Sequence, residues 1–557
     1  MLRRNAYEVI LWLFNTLPFC LALCFLICFF GEIFVSFFAE KHKNIAFACW
    51  HVFSSGIVYA VSITDYFLST VFGLKLNNTA IQLTLQTNPA EANEFLTTYV
   101  FSSRIFVCLA LFGMLLVLEL LAIAFLKRFN PIKFLFVRIV VAIYLLIGFA
   151  GIGVLFYGLS APTATEMESR ILKSHPSIQE HNLVSSLIAV RSIYDNKDSA
   201  VELRQHISDT KVTASSSYNG NIVLIIGESH IKNHSSIYEY NKQTNPLLET
   251  LKDNLYAFND VITVTNTTNT VLKYMLSVSS LDGDKSWDET TFFPAVFKDS
   301  GWYVSFWSNQ VSSKPGPDSW NAAITSYLND PVVAAACFSD RNADTYQYDG
   351  IMLDSLFSKE WNRSIGIGPK LQIIHLLGQH VAYNQRFPES SQFFTVDDYK
   401  EKTDLADSEK QMIADYDNAT RYNDEQIFKI IKRYKDEDAI VFYMSDHGEE
   451  VFDYRKHFGR THDMKRFAPT SYHYQIDVPF VVYVSDNYRN NHPEMVKMIE
   501  NAVNRPFMID DICHLLFYVG GLNTEWFDPT RCLIHPDFNV NRQRFLENGD
   551  NYDTLSK

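Results

Sequence analysis

Two apolar runs of this chain end abruptly in acidic residues and a histidine, which are residue types that bind metal ions. The run Asn221–Gly227 leads into Glu228, and the run Ala439–Ser445 leads into Asp446 and His447. A near-continuous Val/Ile/Leu run is typical of a buried parallel strand, and ligands bind beyond the carboxyl ends of such strands. We therefore expect Glu228, Asp446 and His447 to meet at one sheet edge, where two carboxylates and an imidazole suit Zn²⁺.

A hydroxyl-rich segment after Glu228 is the candidate source of a nucleophile. Residues 264–277 carry several threonines and then run into an apolar, helix-like stretch. A threonine at a helix start can coordinate a metal ion as an alkoxide, and the N-terminus of a helix favours a phosphate group. The pattern predicts a threonine nucleophile but leaves open which threonine it is.

Short β-type runs alternate with helix-type runs through the second half of the chain. The expected strands are residues 222–226, 303–306, 371–375, 440–444 and 479–484, and the helix-like runs include 424–435 and 495–503. This alternation is typical of an α/β domain with a mostly parallel sheet and helices on both faces.

The long hydrophobic runs lie almost entirely before residue 160. Residues 9–38, 51–72, 99–126 and 134–157 are each long enough to cross a bilayer at roughly 20 residues per span. We predict an N-terminal α-helical multi-span membrane domain over residues 1–160, an amphipathic linker over 161–220 and an α/β domain over 221–557. The basic link 127–133 is typical of a cytoplasmic loop, which puts the loop 74–98 and the α/β domain outside the cytoplasm.

The N-terminal basic residues conflict with this topology. Arg3-Arg4 and the pair Lys41 and Lys43 both favour the cytoplasm, yet one hydrophobic stretch separates them. Either residues 9–38 fold back as two short helices around Pro18, or the N-terminus lies outside.

Charge and cysteine content exclude two classes of protein. A net charge of -14 argues against a nucleic-acid partner, which would favour a basic surface. Five of the eight cysteines lie in the hydrophobic runs, which leaves Cys337, Cys513 and Cys532 for the α/β domain. Three cysteines form at most one disulfide, so the domain has no dense disulfide framework.

Several motifs together resemble one enzyme family. These are Gly227-Glu228-Ser229, the segment 238–246, the threonine-rich helix start, Gly378-Gln379-His380 and the Asp-His-Gly-Glu run at 446–449. In combination they resemble the lipopolysaccharide phosphoethanolamine transferases of the alkaline phosphatase/sulfatase superfamily. Residues 85–94 also resemble the periplasmic loop that holds the lipid donor's head group, and the similarity runs from about residue 40 to residue 540.

The resemblance implies a role for each matching position around the metal. The family's zinc ligands correspond to Glu228, Asp446, His447 and Thr268. Thr268 also corresponds to the family's nucleophile, and Thr267 and Thr270 compete with it for that role.

Further positions match residues that contact the substrates. His380 resembles the histidine that contacts the transferred phosphoryl group, and His462 matches a second family histidine, with His457 as the alternative. Three more matches concern substrate binding, two of them in the donor loop: Thr87, Glu91 and Lys314.

The chain departs from the family pattern in three places. The branch that modifies lipid A carries several disulfides, which this chain cannot form, so the chain resembles more closely the branch that acts on core sugars, Kdo or periplasmic glucans. Leu83 stands where relatives often have Asn in the donor loop. The first membrane stretch is also too short for the usual five spans.

The function that the resemblance implies is a zinc-dependent transfer. Phosphoethanolamine would pass from phosphatidylethanolamine to lipopolysaccharide (core sugar, Kdo or lipid A) or another periplasmic glycan through a phosphothreonine-type intermediate. The protein would be a multi-pass protein of the bacterial inner membrane with its catalytic domain in the periplasm. The alternative is another phosphodiesterase or a glycerol-phosphate transferase of the same superfamily.

Three other histidines have simpler interpretations. His230 and His234 are spaced like the two histidines of a zinc helix, but no third ligand lies nearby in the sequence, so we expect them at the surface. His375 lies inside an expected strand and is predicted to be a core residue.

Overall fold

The structure of the protein is a computed structural model. This structure describes residues 16–71, 107, 110–114, 117–118, 121, 135–162, 164–174, 182–209, 215–251, 253–311, 313, 326–362, 368–460 and 469–555. The chain divides into two compact units, Met1–Asp198 and Ser199–Lys557. The finer division at residues 160 and 220 stays a prediction.

Three helices of the first unit are long and apolar enough to cross a membrane, within the part of the chain that the structure describes. The candidate spans are Leu17–Ser36, Glu40–Leu68 and Arg138–Leu159, and the helices that contain them are α1 (Leu17–Ser36), α2 (Lys43–Val71) and α3 (Leu135–Leu159). They overlap three of the four predicted spans. Most of the predicted span 99–126 and the whole loop 74–98 lie outside the described residues.

Helix α1 begins with Pro18 in its first turn, where the missing N–H of proline costs no intrahelical hydrogen bond. Helix α3 packs closely against this turn, because a Cβ added at Gly148 would lie only 2.1 Å from the carbonyl oxygen of Pro18. Residues 1–15, which decide between the two topologies of the N-terminus, lie outside the described residues.

Two helices follow the last span, in the region where we expected an amphipathic linker. They are α4 (Ala164–Ser174) and α5 (Asn182–Asp209). The apolar side chains Met167 and Ile171 of α4 are buried and pack with Phe19 and Ile152 in the core of the first unit. This packing explains why the apolar residues of α4 recur at a helical spacing.

The second unit is built on a seven-stranded, mostly parallel sheet, as the sequence predicts. The strands in chain order are β1 (Ser215–Ser216), β2 (Asn221–Gly227), β3 (Leu255–Phe258), β4 (Val261–Ile262), β5 (Tyr303–Ser308), β6 (Asp340–Arg341), β7 (Lys370–His375), β8 (Ala439–Ser445), β9 (Glu450–Val451), β10 (Phe458–Gly459), β11 (Phe480–Val484), β12 (Phe507–Met508) and β13 (Leu522–Asn523). The sheet order is β3-β11-β8-β2-β7-β5-β6. Only β11 runs antiparallel to its neighbours in this sheet, β3 and β8.

Helices cover both faces of the sheet. Those of the second unit after α5 are α6 (Thr268–Leu276), α7 (Phe293–Asp299), α8 (Ser326–Asn329), α9 (Pro331–Cys337), α10 (Asp349–Asn362), α11 (Asp407–Tyr434), α12 (Pro469–Gln475), α13 (Asp486–Asn491), α14 (Pro493–Ala502) and α15 (Ile512–Val519). Alternate side chains of β2 enter two different cores: Leu224 lies in one, and Val223 and Ile225 lie in the other. Burial on both faces is why β2 and β8 read as continuous apolar runs.

Candidate active site

The central feature of the site is a buried cluster of two carboxylates and one imidazole. Strands β2 and β8 pair in parallel with Gly227 opposite Ser445, so the residues that follow them leave the sheet side by side. Glu228, Asp446 and His447 each offer a ligand atom, and these atoms lie within 4.8 Å of one another. All three side chains are fully buried. The structure therefore brings together the three residues for which the sequence predicts metal binding.

The electrostatics of this cluster favour a bound cation. His447 Nδ1 lies 3.0 Å from the carbonyl oxygen of Gly448, a contact that fixes a proton on Nδ1 and leaves the Nε2 lone pair facing the carboxylates. Burial, with the charge of Arg460, lowers the pKa of His447 to about 3, so its imidazole is neutral. Burial and the neighbouring Glu228 raise the pKa of Asp446 well above its usual value. A neutral imidazole and two closely spaced carboxylates fit Zn²⁺.

Thr268 contributes a hydroxyl that contacts both Glu228 and His447 of this cluster. It is the first residue of helix α6, and its Oγ1 donates a hydrogen bond to Glu228 Oε2 at 3.0 Å. The same Oγ1 lies 3.2 Å from His447 Nε2. An oxygen nucleophile at this point has the helix N-terminus beside it, where the backbone N–H groups favour an anion.

The two competing threonines have different surroundings. Thr267 occupies the N-cap of α6 in an extended conformation, without a side-chain capping hydrogen bond. Thr270 and Thr265 hydrogen-bond the carboxylate of Glu547. The contacts of Thr268 with the cluster therefore favour it as the nucleophile.

The backbone around Glu228 is tightly constrained. Ser229 has a left-handed conformation (φ 57°), which is uncommon for a residue with a side chain and clusters at functional sites. Its N–H donates to Asp446 Oδ1 at 3.1 Å, and its Oγ donates to Glu228 Oε1 at 2.7 Å. From the other side, a Cβ added at Gly378 (φ 50°) would lie 2.8 Å from the carbonyl oxygen of Glu228. Glycine at 378 thus lets the loop after β7 pack directly against the metal-site backbone.

That loop carries His380, and a buried carboxylate shapes it. Asp349 accepts hydrogen bonds from the backbone N–H groups of Leu377 at 2.9 Å and Gly378 at 3.0 Å, and from Asn309 Nδ2 at 2.9 Å. His380 is half-buried, and its Nδ1 has no hydrogen-bond partner among the described residues. Burial raises the pKa of Glu228, but the nearby His447 and then His380 outweigh burial and lower it, so the imidazole of His380 lies close to the cluster.

Of the remaining predicted site residues, the structure describes His457 and does not describe the other four. His457 lies on the hairpin β9–β10, where burial lowers its pKa. Four predicted residues lie outside the described residues: His462, Lys314, Thr87 and Glu91. Their roles stay predictions, as does the choice between His462 and His457.

Gln310 touches the cluster and was missed by our sequence analysis. Its Nε2 donates to Glu228 Oε2 at 3.1 Å and to the carbonyl oxygen of Leu376 at 2.8 Å. It also lies 3.0 Å from Nε2 of His375, whose Nδ1 is 2.9 Å from Ser308 Oγ. His375 is buried in the core as predicted, and it forms part of a polar chain that ends at Glu228. The only sequence signal for Gln310 was the polar end of strand β5.

Arg460 is the second residue that the sequence did not indicate. It follows strand β10, and its Nη1 donates to His447 Nε2 at 2.9 Å and to the carbonyl oxygen of Asn266 at 3.3 Å. Glu449, buried beside it, has its pKa raised to about 7 because burial outweighs the attraction of Arg460. No local pattern marks an arginine at the end of a short hairpin as a site residue.

The prediction that His230 and His234 lie at the surface is wrong. Both are buried, and His234 ends a short 3-10 helix rather than lying on an α-helix. His230 Nδ1 pairs with the hydroxyl of Tyr443 at 2.6 Å, and His234 lies between Asp417 at 2.5 Å and Asp453 at 3.0 Å. Hydrogen-bond partners from distant parts of the chain allow these histidines to be buried, and their spacing does not show this.

Replacing His234 with glutamine is expected to lower the free energy of unfolding by about 3–5 kcal/mol near neutral pH, because Asp417 and Asp453 lose their buried counter-charge. Burial opposes the charge on His234, but the two aspartates outweigh it and raise its pKa to about 10. The unfolded pKa is about 6.5. Since the folded pKa is the higher one, the stabilisation is fully present below about pH 6.5 and is lost as the pH rises through about 10.

Denaturant unfolding of the full chain in detergent, between pH 6 and pH 10, measures this effect. His492→Gln is the matched control, because the pair between His492 and Asp438 at 3.3 Å is about one-third exposed and should contribute about 0–1 kcal/mol. A wild-type-to-His234→Gln difference that does not shrink by pH 10 would contradict a charged His234.

Comparison with known proteins relates this site to a family. A family model described as Sulfatase matches residues 220–516. Phosphoethanolamine transferase EptC of Escherichia coli (strain K12) is 29% identical over 322 residues, which cover 57% of this chain and 53% of that protein. The chain thus spans about half the length of EptC. Phosphoethanolamine transferase CptA of Salmonella typhimurium is 25% identical over 511 residues, which cover 86% of this chain and 82% of that protein.

Solved structures extend the comparison to the fold. The C-terminal periplasmic domain of Escherichia coli EptC, in complex with Zn, matches with a TM-score of 0.52 at 25% identity and covers 62% of this chain and 96% of that chain. The integral membrane lipooligosaccharide phosphoethanolamine transferase A of Neisseria meningitidis matches with a TM-score of 0.56 at 16% identity, covering 88% of this chain and 89% of that chain. The second match shows that the fold includes the membrane helices as well as the α/β unit.

Proposed function

Because the chain belongs to the sulfatase family, we propose that it transfers phosphoethanolamine from phosphatidylethanolamine to lipopolysaccharide or another periplasmic glycan. The sequence relatives EptC and CptA, which are phosphoethanolamine transferases, support this reaction class. The similarity to CptA extends over most of both chains, so it includes the membrane half that a lipid donor requires.

One observation carries the proposal: the hydroxyl of Thr268 lies at the start of a helix against both Glu228 and His447. A hydroxyl becomes a competent nucleophile when a neighbouring group lowers its pKa or accepts its proton. The helix N-terminus next to it stabilises an anionic phosphoryl group. This arrangement supports a covalent intermediate on the threonine.

The residues that would hold Zn²⁺ are Glu228, Asp446, His447 and Thr268. When bound, Zn²⁺ supplies a Lewis acid that lowers the pKa of a coordinated hydroxyl and polarises a phosphoryl oxygen. Two buried carboxylates and a neutral imidazole are ligands that this ion accepts. The Zn complex of the EptC periplasmic domain supports the same metal.

The transfer takes place in two steps, and each step forms one bond to phosphorus and breaks another. Thr268 Oγ attacks the phosphorus of phosphatidylethanolamine, so an Oγ–P bond forms, the P–O bond to the glycerol oxygen breaks, and diacylglycerol leaves. The threonine proton passes by way of Glu228, which accepts the hydrogen bond of Thr268, to the leaving oxygen. In the second step an acceptor hydroxyl attacks the same phosphorus, so an O–P bond to the acceptor forms and the Oγ–P bond breaks. The proton of the acceptor hydroxyl passes by way of Glu228 to Thr268 Oγ, which regenerates the threonine hydroxyl. His380 and His462 provide charge stabilisation or proton transfer.

The acceptor is proposed from the cysteines as well as from the relatives. Cys337, Cys513 and Cys532 are buried and free, as in the branch that acts on core sugars, Kdo or glucans. Core sugar or Kdo is therefore our first choice of acceptor, ahead of lipid A.

We also propose where the reaction takes place. The apolar helices α1 to α3 suit a protein of the bacterial inner membrane, with the α/β unit in the periplasm. In the loop 74–98, Thr87 and Glu91 would hold the head group of the donor, and Lys314 would bind its phosphate.

Intact-mass measurement of the purified full chain tests the donor. After incubation with phosphatidylethanolamine and without an acceptor, we expect a mass increase of one phosphoethanolamine group and release of diacylglycerol. Phosphatidylglycerol is the control lipid. An adduct from phosphatidylglycerol alone would replace the proposal with glycerol-phosphate transfer, and no adduct with both lipids intact would contradict the two-step mechanism.

A further inference from the structure

Arg460 is a charged side chain in direct contact with the candidate metal cluster, and the proposed function has not assigned it a role. It follows the hairpin formed by β9 and β10, which begins directly after the Asp-His-Gly-Glu motif. Gly459, just before it, has φ 84°, a conformation that glycine adopts without strain. The hairpin therefore brings the guanidinium back to the edge of the sheet from which Asp446 and His447 emerge.

Two contacts fix the guanidinium between the cluster and the nucleophile turn. Arg460 Nη1 donates to His447 Nε2 at 2.9 Å and to the carbonyl oxygen of Asn266 at 3.3 Å. Asn266 lies two residues before Thr268, and Thr268 Oγ1 lies 3.2 Å from the same Nε2 atom. The arginine and the nucleophile are thus neighbours of one imidazole nitrogen.

That nitrogen cannot serve two partners. With Nδ1 of His447 turned to the carbonyl oxygen of Gly448, the ring has one lone pair, on Nε2. A metal ion held by His447 through Nε2 takes that lone pair, and the N–H of Arg460 then needs another acceptor. A phosphoryl group attached to or attacked by Thr268 carries anionic oxygens, which a guanidinium binds through paired N–H groups.

We propose that Arg460 is a further catalytic residue of the transfer, one that donates to a non-bridging oxygen of the phosphoryl group while that group is on or near Thr268. This inference rests on the proposed function, and it names the residue that binds the charge developing on the transferred group. Buried Glu449 and Glu228 hold the guanidinium in place electrostatically. The bond from Arg460 to Asn266 links the same guanidinium to the turn that carries the nucleophile.

The first test measures binding and not turnover, so it does not depend on the identity of the donor. Inorganic phosphate is titrated calorimetrically into the zinc-loaded full chain, as wild type, Arg460→Gln and Arg460→Lys. We expect Arg460→Gln to weaken phosphate binding about 10-fold or more. Arg460→Lys should weaken it less, because lysine keeps the positive charge but lacks the paired N–H groups of the guanidinium. Equal phosphate affinity in wild type and Arg460→Gln, including no measurable binding by either, would overturn the proposal.

Zinc affinity separates this role from a structural one. In the metal-free chain Arg460 occupies the lone pair of His447, so Arg460→Gln should bind zinc as tightly as wild type or more tightly in competition with a chromophoric chelator. A loss of zinc affinity that parallels the loss of phosphate binding would show that Arg460 only maintains the cluster, and would overturn the proposal. Arg455→Gln is the matched control, since Arg455 pairs with Glu450 at 2.5 Å on the same hairpin, and it should retain both affinities.

The rate of adduct formation from phosphatidylethanolamine links the inference to the reaction. Arg460→Gln should form the adduct about 10²–10³-fold more slowly than wild type, the usual cost of removing one donor to a developing oxyanion. A rate within threefold of wild type would overturn the catalytic role. If wild type forms no adduct, the proposed donor fails, and the phosphate titration still decides whether Arg460 binds a phosphoryl group.

Discussion

Thr268→Ala is expected to abolish the phosphoethanolamine adduct and to lower transfer by roughly 10⁴-fold or more, a loss typical of removing a nucleophile. The hydroxyl lies 3.0 Å from Glu228 Oε2 and 3.2 Å from His447 Nε2, so removing it leaves the reaction without its attacking atom. Zinc content should fall little, because the three buried ligands are unchanged. Intact mass, a transfer assay with labelled phosphatidylethanolamine and elemental analysis measure these three quantities.

The neighbouring threonines provide matched controls for this substitution. Thr267→Ala and Thr270→Ala change the same turn, but Thr270 bonds Glu547 and Thr267 makes no capping bond. Both variants should keep transfer within about tenfold of wild type, because at most one hydrogen bond is lost. Thr268→Ser should retain the adduct because it keeps the hydroxyl. Full activity in Thr268→Ala, with a loss in either control, would move the nucleophile to that position.

The candidate metal cluster could be located from the sequence because its three residues follow two long, mostly apolar strands. Parallel pairing of β2 with β8 in the register Gly227 to Ser445 converts two positions far apart in the chain into neighbours. Continuous apolar runs indicate the strands. Ligands bind beyond the carboxyl ends of parallel strands, and this rule indicates where the site lies. The mostly parallel sheet follows from the same pattern.

The residues that surround the cluster could not be found in this way. Gln310 and Arg460 reach Glu228 and His447 from loops whose paths depend on tertiary packing. A short hairpin such as β9–β10 leaves no periodic signal in the sequence. The role of His380 was predicted from the resemblance to a family, in which the motif Gly378-Gln379-His380 is the signal, and it stays a prediction.

Buried polar residues explain why one helix was predicted too short and why His234 was wrongly predicted at the surface. The helix expected at 424–435 is the last part of α11, which begins at Asp407. Its earlier turns bury Asp417, Asn418 and Asn423, and these interrupt the apolar period on which a helix prediction depends. Asp417 is also a partner of His234, so one unrecognised buried charge pair accounts for both the short helix and the misplaced histidine.

Asp446→Asn is expected to be at least as stable as wild type without zinc and less stable than wild type with zinc. Glu228 and Asp446 are fully buried and close together. Burial and the charge of Glu228 raise the pKa of Asp446 well above its usual value, so without zinc Asp446 is held in its protonated, neutral form. Asparagine keeps the shape of that neutral side chain and cannot ionise. The zinc-free variant should therefore unfold at the same or a higher temperature than zinc-free wild type.

Added zinc changes this comparison. A ligand that binds only the folded state stabilises it by about 4 kcal/mol at a thousandfold excess over its dissociation constant, and wild type should gain stability on this scale. Asp446→Asn lacks one of the carboxylate ligands and should gain much less, with transfer activity falling below detection. Thermal unfolding with and without zinc, followed by elemental analysis after gel filtration, measures both effects.

Asp417→Asn is the control for a general effect of losing a buried carboxylate. Asp417 pairs with His234 at 2.5 Å, so its loss leaves a buried charge unpaired and should destabilise the zinc-free and zinc-loaded proteins equally. The two substitutions should differ because Asp446 lies beside another carboxylate, Glu228, whereas Asp417 lies beside the charged His234. If Asp446→Asn were destabilised without zinc to the same extent as Asp417→Asn, the carboxylates of Glu228 and Asp446 would not repel each other, and the reason for a cation between them would be lost.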